Sequence, residues 1–113
     1  LLPDLQEASM KKEYPPRGGY KSSGFGYASD VIHMAVYRDD AEMFMLALAE
    51  LGGAGVEVLI DGSIFNYAAM RGAVDCLKAL FASGAKSEFP LEYWLKKAEN
   101  PSHGPRVGWK AAA

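Results

Sequence analysis

Six side chains offer the groups from which chemistry is usually built: His33, His103, Cys76 and the carboxylates of Asp39, Asp40 and Glu42. Acids beside a histidine are the raw material of hydrolysis or of a cation site. Their placement favours plainer roles. A metal site needs ligands at compatible spacing, and the second histidine, His103, lies in the C-terminal tail. Asp39, Asp40 and Glu42 fall in one turn at the head of an apolar run, where helix caps and acidic first turns belong. Cys76 is the only cysteine, so no disulfide can close within the chain and no CxxC pair exists. The glycine clusters "GFG" and "GGAG" lack the GxGxxG or GxxxxGK[ST] spacing that cradles phosphate. No catalytic, cofactor-binding or metal-binding residue is expected, and the chain is read as a non-enzyme.

The whole-chain numbers bound the rest. The 113 residues suffice for one domain with a modest core. Half are apolar, 23% are charged, and the net charge is -2. The charge is unevenly spread. Residues 28–89 hold nine acidic and four basic groups, whereas the segments on either side are mildly basic. Nucleic acid selects a clustered basic face, so it is not expected as a partner. The longest apolar run, "MFMLALA", is far short of the roughly 20 residues that span a bilayer. A lone cysteine fits an intracellular, reducing compartment. The chain begins with Leu1 rather than Met, as a processed or incomplete product would, and a removed targeting peptide would make that compartment an organelle.

The candidate residues must be positioned by helices. In "DVIHMAVYR", Val31, Ile32, Ala35 and Val36 recur at helical spacing, with Asp30 as the expected N-cap. "DDAEMFMLALAEL" follows, capped by Asp39 or Asp40 and stopped by "GGAG". "VEVLI" alternates as a short extended piece before the turn signal "DGS". Ile64, Phe65, Ala68 and Ala69 then mark another helix, which Gly72 ends in the left-handed conformation. Val74, Leu77, Leu80 and Phe81 mark a fourth, ended by Gly84. "SEFPLEYWLKKAE" gives a last helix with Pro90 in its first turn and Leu91, Trp94, Leu95 and Ala98 on one face. Ahead of these elements, "PDLQEASMKK" admits a short helix, and "YPPRGGYKSSGFGY" is expected to lack regular structure.

The helices repeat. A shift of 33 residues lays Ile32 on Phe65, Ala35 on Ala68, Val36 on Ala69, Phe44 on Leu77, Leu48 on Phe81 and Arg38 on Arg71. A helix pair with one apolar flank cannot bury that flank alone, and a second pair stacked against it can. At these positions "DVIHMAVYRDDAEMFMLAL" and "SIFNYAAMRGAVDCLKALFASGA" resemble ankyrin repeats, the second more fully, through Phe65, Ala68, Ala69, Gly72, Asp75, Leu77, Leu80, Gly84 and Ala85. Asn66 stands where that family has histidine, and Asp39 where it has the turn glycine, so the first turn is expected to differ in shape. The resemblance implies a structural His33 bonded to backbone near the helix start, a buried Cys76, and a projecting hairpin within "LGGAGVEVLIDG".

The expected fold is therefore all-α: an ankyrin-like helix-turn-helix repeat stack of about two and a half repeats, with extended N- and C-terminal arms. Residues 1–28 form the first arm, 29–99 the repeat domain with a C-terminal cap helix, and 100–113 the tail. Positions between and after the small core residues face the groove. These are Met34, Tyr37 and Arg38 in the first copy and Tyr67, Met70 and Arg71 in the second, types enriched at protein interfaces. Tyr14, Tyr20, Phe25 and Tyr27, with Trp109 in the tail, are the expected arm contacts. Together they point to a scaffold or accessory subunit that binds other protein subunits, within a membrane-protein complex or elsewhere, with no homo-oligomer implied. The alternative is a free-standing adaptor that binds one partner transiently through the groove. A third possibility, an enzyme or small-ligand domain, would need turnover abolished by His33→Ala with the fold intact.

Overall fold

The computed structural model describes residues 4–19, 21, 26–53, 57–58 and 62–101. It is all-helical, apart from one two-residue strand pairing among the described residues. Two hairpins form its centre. The first joins α2 (Tyr27–Arg38) to α3 (Ala41–Leu51), and the second joins α4 (Ile64–Met70) to α5 (Val74–Ala82). α1 (Leu5–Lys11) packs on α3, and α6 (Leu91–Ala98) packs on α4 and α5. α5 also packs on α3, which joins the hairpins side by side.

The two inter-helix turns are copies at the spacing of 33. The N–H of Asp40 donates to the carbonyl of Ala35 at 2.8 Å, and that of Ala73 donates to Ala68 at 2.9 Å. Asp39 donates to Val36 at 3.1 Å, and Gly72 to Ala69 at 3.0 Å. Phe44 donates to Asp40 at 3.0 Å, and Leu77 to Ala73 at 3.1 Å. The first two pairs satisfy carbonyls that a helix end leaves open and require a left-handed residue just beyond the helix, and the third opens the next helix. Gly72 supplies it with φ 75° and Asp39 with φ 52°. The first turn therefore does not differ in shape. Asp39 takes the glycine conformation, and its side chain is held in place by bonds described below. Ala35 and Ala68 are both fully buried, each on the first helix of its hairpin.

Local chemistry explains most boundaries. Asp40 caps α3 by accepting from Met43 N–H at 3.3 Å, and Ser63 caps α4 through Asn66 N–H at 3.1 Å. Asp4 caps α1 through Glu7 N–H at 2.7 Å. α2 departs from expectation. It starts at Tyr27, with Gly26 at the cap position and no side-chain cap, so Asp30 lies inside its first turn. Tyr27 and Ala28 are buried, and their packing extends the helix backwards. Between the hairpins, Glu57–Val58 (β1) pairs antiparallel with Gly62–Ser63 (β2), in the register Glu57 to Ser63 and Val58 to Gly62.

One core runs through all of these helices. Its largest fully buried side chains include Met43, Phe44, Leu48, Ile64, Leu77 and Leu80. No described helix is long and apolar enough to cross a membrane.

Residues 4–19, expected to be an extended arm with a possible short helix, carry that helix as α1 and fold onto the body. Leu5 and Ala8 of α1 enter the core, and so does Tyr14. A 3₁₀ turn at Arg17–Gly19 interrupts the stretch expected to lack regular structure. The cause is long-range. Tyr14 finds an apolar seat and polar partners on the first hairpin, which no local pattern announces.

Candidate partner-binding face

Met34, Tyr37 and Arg38 are spaced i, i+3 and i+4 on α2, so one face of the helix carries all three. Tyr37 is 66% exposed and Arg38 is exposed, whereas Met34 is half-buried against the core. On α4, Met70 and Arg71 are half-buried at the helix end. The Sδ atom of Met70 accepts from Asn66 Nδ2 at 3.1 Å.

Tyr67 is not part of an open face, because only 3% of it is exposed. His33 lies edge-on to it, with ring centroids 5.1 Å apart. Its hydroxyl pairs with His33 Nδ1 at 2.5 Å. The described partner of His33 is thus a side chain of the next hairpin. A ring at residue 67 fills the join between α2 and α4, while the shorter Met34 leaves its own position partly open.

Arg38 is engaged from within the chain. Its guanidinium lies 4.4 Å from the Tyr14 ring centroid, at a distance typical of cation–π contact. The Tyr14 hydroxyl donates to Asp40 Oδ2 at 3.1 Å. Tyr27 donates to the Pro15 carbonyl at 2.8 Å, with Arg17 over its ring at 4.5 Å. Tyr14 and Tyr27, expected to be arm contacts to a neighbour, are spent on their own chain. Tyr20, Phe25 and Trp109 lie outside the described residues.

The acids and the cysteine have structural tasks. Asp39 Oδ1 accepts from Cys76 N–H at 3.0 Å, and Oδ2 accepts from Asp75 N–H at 3.1 Å. One hairpin's turn thereby caps the second helix of the next, whose own cap residue, Ala73, makes no side-chain bond. Burial raises the Asp39 carboxyl above its ordinary value, against the downward pull of those N–H donors. Cys76 is free and fully buried. Burial, with the negative charge of Asp39, pushes its thiol far up, so it is not poised as a nucleophile.

The composition of α6 hid a second exposed element. Phe89 and Tyr93 are 42% and 44% exposed and stack at 4.2 Å between centroids. Both meet Trp94, whose ring lies along Phe65 at 6.1 Å. Trp94 Nε1 donates to Ser87 Oγ at 2.7 Å, which fixes the ring. Beside it, Lys97 Nζ donates to Asn66 Oδ1 at 2.5 Å, which ties α6 to α4. Two aromatics four residues apart, on either side of Leu91 and just ahead of the buried Trp94, were the available signal for an outward aromatic pair.

Comparison of the chain with protein-family models, with curated proteins and with solved structures finds no match.

Proposed function

We propose that this chain is a non-catalytic protein–protein interaction module: an ankyrin-like scaffold or accessory subunit of a multiprotein complex. The observation that carries the proposal is Tyr37, a large aromatic two-thirds exposed on a helix face that also carries Met34 and Arg38. A rigid aromatic beside methionine and arginine is the composition of interface hot spots. The hairpin stacking supports it. The residue-39 and residue-72 turns repeat the same bonds 33 residues apart, and on this reading Met70 and Arg71 extend the face. Because Tyr14 and Tyr27 are spent internally, partner contact passes to the helices.

A photo-cross-linking residue at position 37 in the native assembly tests this. The expected result is a covalent adduct to one neighbouring protein at position 37, and none at position 51, the exposed last residue of α3. Adducts at position 51 with none at 37 would refute the assignment of the face.

A further inference from the structure

We infer that residues 4–17, α1 with the strap that follows it, form a self-docked end cap that occupies the seat of a preceding hairpin and opens as a unit apart from the two hairpins.

The seat is defined by comparing the two hairpins. α3 carries α5 on one flank and α1 on another. Where α5 begins, the preceding hairpin reaches across with Asp39. Where α3 begins, it is the N-terminal segment that reaches across. Lys12 Nζ meets Asp40 Oδ1 at 3.3 Å and also pairs with Glu42, and the Tyr14 hydroxyl meets the other oxygen of Asp40. The segment thus serves the first hairpin at the place where the first hairpin serves the second.

How the cap is held makes it separable. α1 has only seven residues, too few to be stable alone, so it is helical only while docked. Its apolar hold rests on Leu5, Ala8 and Tyr14. The other ties are partly exposed ion pairs of a kind that contributes little, Lys12 with Asp40 and Glu42 and Arg17 with Glu50, together with the two tyrosine hydroxyl bonds, Tyr14 to Asp40 and Tyr27 to the Pro15 carbonyl, and the cation–π contacts of Arg38 on Tyr14 and Arg17 on Tyr27. Within the cap, the N–H groups of Lys12 and Tyr14 donate to Ser9, and Arg17 N–H donates to Gln6 Oε1. Those bonds travel with the cap and give it internal cohesion. A unit cohesive within, whose apolar hold on the body rests on three side chains, opens as one. Opening also lifts Tyr14 off Arg38, so the cap governs that end of the face; this consequence alone rests on the function proposed above.

Native-state amide hydrogen exchange on the full chain, with no partner present, tests the cap. The amides of Ala8, Lys12 and Tyr14 are expected to share one opening rate, at least about tenfold faster than those of Leu77 and Leu80 in α5. Lys12→Ala, a surface change, should speed the cap amides by up to about fivefold and leave α5 unchanged. Equal rates in cap and α5, or a Lys12→Ala effect that moves both sets together, would overturn the inference. Neither result depends on the partner face, which position 37 tests separately.

Discussion

The carboxylate of Asp39 accepts the backbone N–H of Cys76 at 3.0 Å, so the turn of one hairpin caps a helix of the next. Asp39 does two things at once: it holds a left-handed backbone at φ 52° and satisfies two donors at the start of α5. Gly72, its counterpart, does only the first.

Substitutions at Asp39 should separate the two tasks. Asp39→Ala loses both acceptors and leaves in the left-handed region a residue without the polar side chain that makes it tolerable, for a cost of about 2–3 kcal/mol in urea unfolding. Asp39→Gly keeps the backbone and loses the cap, for about 1–2 kcal/mol. Asp39→Asn keeps an acceptor and tolerates the backbone, so it should lie within about 1 kcal/mol of the parent.

The same carboxyl gives an acid-range signature. Burial raises its folded value, so ionising it costs the fold more than it costs the unfolded chain. Its contribution is complete below the unfolded value of about 4 and is lost as pH rises through the folded one. The parent should therefore lose stability relative to Asp39→Asn as pH climbs from about 3 to 6. A parent-minus-variant difference flat over that range contradicts the burial effect.

Tyr14 gives the alkaline counterpart. Burial, with help from the charge of Asp40, raises its phenol above the ordinary value. The associated stability is complete below the unfolded value of about 10 and declines as pH rises above it. Chemical unfolding at pH 8–11 should show a loss that Tyr14→Phe reduces.

Tyr37 and Tyr67 should behave oppositely although both were expected on one face. Tyr37→Ala should change stability by less than about 0.5 kcal/mol, as an exposed site does. Tyr67→Ala empties a core position and should cost about 3–5 kcal/mol. Tyr67→Phe removes the hydroxyl that pairs with His33 and should cost about 1 kcal/mol by urea unfolding.

Much of the helical scheme was legible because its signals are local. Small Ala35 and Ala68, the turn at Gly72 and the apolar spacing around Leu77 each dictate structure within a few residues. What depended on distant packing was not legible. Nothing near Tyr14 in sequence indicates that Asp40 and Arg38 will receive it, and nothing near Tyr67 announces His33. The start of α2 was missed for the same reason, since Tyr27 joins the helix through its burial and without a cap. Asp39 was misjudged because propensity alone disfavours it at positive φ, while its two bonds to α5 lie 36 and 37 residues away.

The most direct test of the partner face is the native assembly recovered through a tagged chain carrying Tyr37→Ala, compared with the parent at equal unfolding midpoints. The account predicts that the neighbouring protein bound at that face is retained at least about tenfold less, as loss of an interface hot spot requires. Undiminished retention, with the variant folded as the parent is, would contradict it.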